Sequence, residues 1–427
     1  MAPFINMSSS FDTLASYVTD DELQSEELLN RVTNSESNEF LQEMRQPAMK
    51  VAENSRTKKS TGTPLKQTKP SPFSLSTSED FTFPESNMSI RVTGPNGTVI
   101  HGRVCSQVMS LFSPVWRQLV QNISDNYSKT QRNLRVGNEL FQLDDAVNHH
   151  EGGCLDFTAD NHVALQILLN IAHLNTRAVA RRELEYKDLL NMAELIHKYD
   201  CLSRVEIFHK GWLAGQEFQA YRDGMENWLF IAWVFGRRQV FEDLAEKLVM
   251  EISISCLGTP VTATGSPLKG SFPDGIIESI LQVRLYTIQR LLDIWYGYIG
   301  ELLKGDSILC KHGEAMCDNL AHGSLSKAMS NFDLYPVKIA SEISISINEL
   351  RENLVTIRVN VLPSHSLLFD HSKCHWVQIE KMIEVVILDT PNPTLEVHRQ
   401  QMNGALIALT GTDAEYFEEE EQDEFEY

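Results

Sequence analysis

The residues of this chain best suited to chemistry are two groups of soft ligands set far apart. Cys310 and Cys317 stand in a Cys-x6-Cys spacing, and His371-Ser-Lys-Cys374-His375 follows much later. A borderline-soft cation such as Zn²⁺ takes four thiolate or imidazole ligands in a tetrahedron. Cys310, Cys317, His371 and Cys374, brought together by folding, would therefore close a structural site. The first gap is wider than the roughly two to four residues usual in such sites. Buried cysteines without a ligand are accordingly the default reading, and a structural zinc is the only cofactor entertained. His149, His150 and Glu151 also have metal-like composition, but their Gly-flanked polar setting predicts an exposed loop. Cys105, Cys154 and Cys201 sit inside apolar patterns and are expected in the core. His101 and His173 are expected as satisfied structural histidines.

Enzymatic signatures fail one by one. The stretch Gly258 to Gly270 includes Lys269 but lacks the Gly-Lys-Ser/Thr step that cradles phosphates. There is no Gly-x-Ser-x-Gly elbow, no His-Glu-x-x-His and no kinase set. No catalytic residue is expected. The net charge of −21 would be repelled by a nucleic-acid backbone, so direct binding to nucleic acid is not expected either.

The elements that would position these residues can be placed along the chain. With 427 residues and 42% hydrophobic content, two or three domains are expected. The N-terminus lacks the basic and long apolar regions of a secretory signal, and the seven cysteines are odd in number, so reduced thiols and an intracellular location, cytoplasmic or nuclear, are expected. The apolar run Trp228 to Phe235 is too short to span a bilayer. Residues 1–84 are polar and expected to be disordered. Within them, Phe11 to Leu29 has helical spacing, and Arg56-Thr-Lys58-Lys59 is a weak import signal. Asp413 to Tyr427 carries nine carboxylates and no basic residue, so 408–427 is expected as a solvated acidic tail.

Order is expected from Met88. Ser89 to Thr93 alternates as a half-buried strand, Gly94-Pro-Asn-Gly97 supplies a turn, and Thr98 to His101 makes the return strand. A helical stretch from Ser106 carries Val108, Met109, Phe112, Trp116, Leu119 and Val120 on one face. Pro114 divides it into two short helices, with Ser113 capping the second. Residues 122–153 are expected as an irregular insertion around weak strands at Asn133–Val136 and Glu139–Leu143. Beyond it come a strand at Cys154–Phe157 and helices at Ala164–His173, Leu184–Tyr199, Leu202–Leu213 and Met225–Ile252. Ser253–Ser271 is expected as a loop and Ile276–Leu303 as a long amphipathic helix. Shorter helices follow Cys310 and end near Ile407.

This order of hairpin, two short helices, strand and helix pair resembles a BTB/POZ domain. Val104-Cys-Ser-Gln-Val-Met-Ser-Leu-Phe-Ser-Pro-Val-Trp116 is similar to the family segment in which a serine–proline step joins two helices, with Met109 and Trp116 replacing a leucine and a phenylalanine. Leu155 to Asp160, Ala164 to His173, and the helix ending Tyr199-Asp200-Cys201 resemble the strand and helices that follow. Trp212-Leu213 and Asn227 to Gly236 are similar to a group of fungal BTB-domain proteins with a helical extension. That group often has cysteines and a histidine–cysteine pair in places corresponding to the ligands above. The resemblance covers about residues 88–390.

The resemblance implies an α+β BTB/POZ core at 85–215 with an insertion at 122–153. An all-helical region would follow, as an extension at 216–304 and a C-terminal part at 305–407. It implies an intracellular adaptor or scaffold that binds proteins, itself included, without touching membrane. Val108, Met109, Phe112 and Trp116 would supply the self-association surface, although they would serve equally in a monomer's core. Alternatives are a transcription-linked regulator and a cullin-ligase substrate adaptor. In the latter, Ile123 of Ile123-Ser-Asp125 would stand for the family's hydrophobic-x-glutamate contact, which it matches poorly.

Overall fold

The computed structural model describes residues 81–134, 153–179, 184–304, 307–363, 370–375 and 378–411. Over these residues the protein is mixed α/β, with twelve α-helices and a few short strands. The Phe11–Leu29 segment, the Lys58/Lys59 cluster, Glu139–Leu143, the His149–Glu151 loop and the tail beyond 411 lie outside the described residues.

Strands β1 (Met88–Thr93) and β2 (Val99–Val104) form the expected antiparallel hairpin, with Val92 opposite Ile100. Strand β3 (Cys154–Phe157) lies parallel to β1 on its other side, Ile90 opposite Leu155, giving the order β2-β1-β3. Alternation decides the faces: Ile90 and Val92 are fully buried, while Arg91 points out and pairs with Asp156 at 2.6 Å. The folded region begins earlier than the sequence pattern indicates. Phe81 and Phe83 are 0% and 5% exposed, and Thr82 bridges to Arg103. Gly102 permits this approach, since a Cβ there would stand 2.4 Å from the Phe81 carbonyl oxygen.

Helices α1 (Ser106–Phe112) and α2 (Pro114–Leu134) meet at Ser113. The Ser113 hydroxyl accepts the Trp116 N–H at 3.1 Å as a cap and donates to the Tyr199 carbonyl. The irregular stretch expected from 122 is corrected as far as Leu134, to which α2 runs unbroken; the rest of the strand expected at 133–136 lies outside the described residues. No proline or glycine interrupts Val115 to Leu134, and Val115, Leu119, Val120 and Ile123 keep one stripe on the core. Helices α3 (His162–Ala172), α4 (Tyr186–Tyr199) and α5 (Glu206–Leu213) complete this part. Trp116 sits at its centre, with ring centroids 5.2 Å from Phe112, 5.3 Å from Tyr199 and 6.1 Å from Phe157. Beside them the buried Asp160 carboxylate accepts hydrogen bonds from Tyr199 and Lys198.

The single helix expected at 225–252 is two, α6 (Trp228–Val234) and α7 (Arg238–Glu251). They break at Gly236, whose φ of +67° suits glycine. A Cβ there would also meet the Met402 carbonyl oxygen at 2.8 Å, so the last helix crosses closely at this point. The loop expected at 253–271 contains a small ribbon, β4 (Ser253–Ile254) against β5 (Pro260–Val261), closed by Ser255 and Thr259 hydroxyls 2.7 Å apart. Helix α8 (Ile276–Leu303) has the expected bounds. Its Arg284 is 1% exposed and donates to the carbonyls of Ile252, Ile343 and Ile345 at 3.0, 3.0 and 2.6 Å. This ties α8 to the chain before β4 and before α10. The remaining helices are α9 (Ala315–Asn331), α10 (Ile347–Thr356), α11 (Ile379–Leu388) and α12 (Glu396–Thr410).

One continuous apolar core joins residues from Phe81 to Leu409. A second cluster stands apart from it: Cys310, Cys317 and Cys374, with Val361 and Leu362 packed against them. No helix of the described residues is long and apolar enough to cross a membrane.

Candidate metal centre

Three chain segments build the second cluster. Cys310 opens a turn closed by the Gly313 N–H on the Cys310 carbonyl at 2.8 Å, with Gly313 at φ +72°. Cys317 lies in the first turn of α9, its N–H on the Glu314 carbonyl at 2.9 Å. His371 and Cys374 come from a single 3-10 turn, His371–Lys373. Asp370 caps that turn through the Ser372 N–H at 2.9 Å, and the Cys374 N–H closes it on the His371 carbonyl at 2.9 Å. Short local turns thus present two ligand pairs, as the sequence spacing suggested.

The four donor atoms all lie within 4.8 Å of one another. Cys310 Sγ is 3.7 Å from Cys374 Sγ, and each is 3.5 Å from His371 Nδ1. The sulfur separation is far beyond a disulfide bond of about 2.05 Å, and all three cysteines are free. Exposure is 0% for Cys317, 4% for Cys310, 5% for His371 and 8% for Cys374. Three thiols and an imidazole turned inward and shielded from water form a donor set that can bind a soft or borderline metal ion.

Backbone amides point at the sulfurs. Cys310 receives the N–H groups of Glu314 and His312, Cys317 that of Leu362, and Cys374 that of Lys311. Burial alone would raise the Cys310 thiol, but those amides and the neighbouring thiols outweigh it and hold it below its ordinary value. Burial pushes Cys317 up to about 11, and the sulfurs of Cys310 and Cys374 add to the rise. Cys374 is raised as well, burial first. Cys310 is thus shifted toward its ionised form while Cys317 and Cys374 are shifted away from theirs.

Around the ligands lies a polar shell absent from the sequence reading. Asp318, one residue beyond Cys317, accepts the N–H groups of Leu309 at 2.7 Å and Cys310 at 2.9 Å. His375 Nε2 lies 3.1 Å from the same carboxylate, and Tyr298 of α8 reaches His375 Nδ1 at 2.7 Å. Burial holds the His375 imidazole below its ordinary value, outweighing the pull of Asp318. His375 Nε2 makes no hydrogen bond, its approach to Asp318 being one of proximity alone, while Nδ1 meets the Tyr298 hydroxyl. His312 packs edgewise on His371, ring centroids 4.9 Å apart, with its Nε2 3.0 Å from the Asp370 carbonyl. No motif marks Asp318 or Tyr298; adjacency to Cys317 was the only available signal.

The surface residues named from sequence divide. Met109 and Trp116 are 0% exposed and Phe112 is 8%, so these three fill the chain's own core and are withdrawn as contacts with a partner. Helical geometry turns them toward Phe157 and Tyr199, leaving Leu111, 70% exposed, and half-buried Val108 on the outer side of α1. Ile123 is half-buried, and a Cβ on Gly153 would stand 1.9 Å from its Cγ2. His173 is a satisfied structural histidine: its Nε2 accepts the Cys105 N–H at 3.2 Å, its Nδ1 donates to the Leu169 carbonyl at 2.9 Å, and it stacks on Phe83.

Comparison with protein-family models, with curated proteins and with solved structures gives no significant match for this chain.

Proposed function

We propose that this chain is a non-catalytic interaction protein whose C-terminal helices are held by a structural zinc ion on Cys310, Cys317, His371 and Cys374. The carrying observation is the donor spacing. Zn–S bonds of about 2.3 Å and Zn–N bonds of about 2.0–2.1 Å give a tetrahedron with S···S edges near 3.75 Å and S···N edges near 3.55 Å. The Cys310–Cys374 separation of 3.7 Å and the two sulfur–His371 separations of 3.5 Å match these edges, and all four donors, Cys317 included, lie within 4.8 Å of one another. Four protein ligands complete the tetrahedron and leave no position for substrate, as in structural rather than catalytic centres.

The interaction reading rests on the BTB/POZ resemblance of the 85–215 region. Its support is the order of elements, the Ser113 cap between α1 and α2, and the apolar outer side of α1. A second copy of the chain is the partner proposed for that side, through Leu111 and Val108 in place of the buried residues. Light scattering on the purified full-length protein tests this. A dimer mass that Leu111→Asp converts to a monomer, with metal content unchanged, supports it. A monomer at every concentration overturns it.

A further inference from the structure

We propose that Asp318 is a positioning residue that assembles the metal centre, and that His375 and Tyr298 transmit that assembly to α8. The inference rests on the zinc reading above and adds to it what sets the ligands in place.

The four ligands come from segments far apart in sequence, and something must hold those segments together before or while the ion binds. Asp318 touches all of them. It belongs to the same first turns of α9 as Cys317. Its Oδ2 accepts the Leu309 N–H at 2.7 Å and its Oδ1 the Cys310 N–H at 2.9 Å, fixing the direction in which the Cys310 side chain leaves the turn. The same Oδ1 lies 3.1 Å from Nε2 of His375, the residue next to Cys374. A single carboxylate thus cross-braces the Cys310 turn, the Cys317 helix and the Cys374 turn. Its two oxygens accept backbone amides, and His375 Nε2 lies beside Oδ1.

The brace continues outward. The Tyr298 hydroxyl, at the end of α8, lies 2.7 Å from His375 Nδ1, and the two rings meet edgewise at 6.3 Å. Helix α8 is the longest in the described structure and is buried along the main core. The contacts Tyr298–His375–Asp318–Cys310 therefore link the cysteine cluster to α8 through polar groups, beside the apolar packing of Leu325 and Met329 of α9 in the main core. Asp318 is 8% exposed and His375 7%, so neither is a solvated surface group. Outer-shell partners of this kind set ligand direction and metal affinity.

The test uses the full-length protein, with Asp318→Asn and Tyr298→Phe. Asparagine keeps the shape but replaces one acceptor oxygen by an NH₂ that faces amide donors. Zinc affinity is read by competition with a chromophoric chelator. The expected results are about one zinc per chain in all three proteins, an affinity loss of about 10- to 100-fold in Asp318→Asn, and a loss of about 2- to 10-fold in Tyr298→Phe, the worth of one hydrogen bond. A purely structural role would lower the melting temperature of chelated and zinc-loaded protein equally. A positioning role shrinks the increment that zinc adds. Wild-type affinity and an unchanged increment in Asp318→Asn would overturn the proposal. Should that variant not fold, wild-type affinity in Tyr298→Phe would overturn it. A wild-type protein without zinc would instead overturn the metal reading beneath it.

Discussion

The region around Trp116 and the region around Cys310 solve the same packing problem with different materials. In the first, Trp116, Phe112, Phe157 and Tyr199 fill the space between the sheet and α2 to α4, and their rings interlock at 5.2 to 6.1 Å. In the second, the chain from Ser307 to Cys317 has few large apolar groups, and Ile308 at 50% and Met316 at 64% exposure face outward. Three cysteines and a histidine occupy the interior instead, and among the described residues Val361 and Leu362 are the hydrophobics packed against the cysteines. Hydrocarbon buried from water holds the first region together without specific partners. The second has backbone N–H groups and a carboxylate arranged around sulfur, a donor set that could hold a metal ion. On the proposed zinc reading, metal–ligand bonds take over there the work of the core.

The sharpest way to break this contrast is to remove the ion. Structural zinc is worth about 10–16 kcal/mol in small isolated domains, so chelation should melt the cysteine region while the Trp116 region persists. Limited proteolysis of chelator-treated protein should then cleave between residues 304 and 379 and spare 81–134 and 153–179. Equal cleavage in both would end the comparison. The next effect is the reverse experiment. Trp116→Ala empties the aromatic centre and should cost about 3–5 kcal/mol in denaturant unfolding, with zinc content unchanged. The smallest effect sharpens the first region alone. Burial holds the His173 imidazole below its ordinary value, so the unfolded chain takes up that proton first. Stability from this group is complete above pH of about 6.5 and is lost as pH falls toward the folded pKa, because protonating Nε2 also removes the acceptor for the Cys105 N–H. Melting temperature followed from pH 7.5 to 5.5 should fall, and less steeply in His173→Gln; an identical slope would remove His173 from the account.

Much of this was legible in residue order. Ser113-Pro114 announced a capped helix start, the Gly94 to Gly97 turn announced the hairpin, and the pairs Cys310/Cys317 and His371/Cys374 marked a candidate site against a default of buried cysteines without a ligand. Ser113 was recognisable because capping is local and has a strict chemical requirement. The 122–134 stretch was not recognisable, because a mostly polar helix with a narrow apolar stripe has the composition of a loop. The break at Gly236 was also hidden: its cause is the approach of α12, more than a hundred and fifty positions later in the chain. Asp318 was invisible for the same reason, since its three partners are brought to it by folding. The exposed and buried sides of α1 could not be separated until the positions of Phe157 and Tyr199 were known.

Elemental analysis of freshly purified full-length protein, alongside Cys317→Ser, tests the central claim most directly. The account predicts about one zinc per wild-type chain and little or none in the variant. Wild-type protein with no metal above the buffer blank, or full zinc retained in Cys317→Ser, would contradict it.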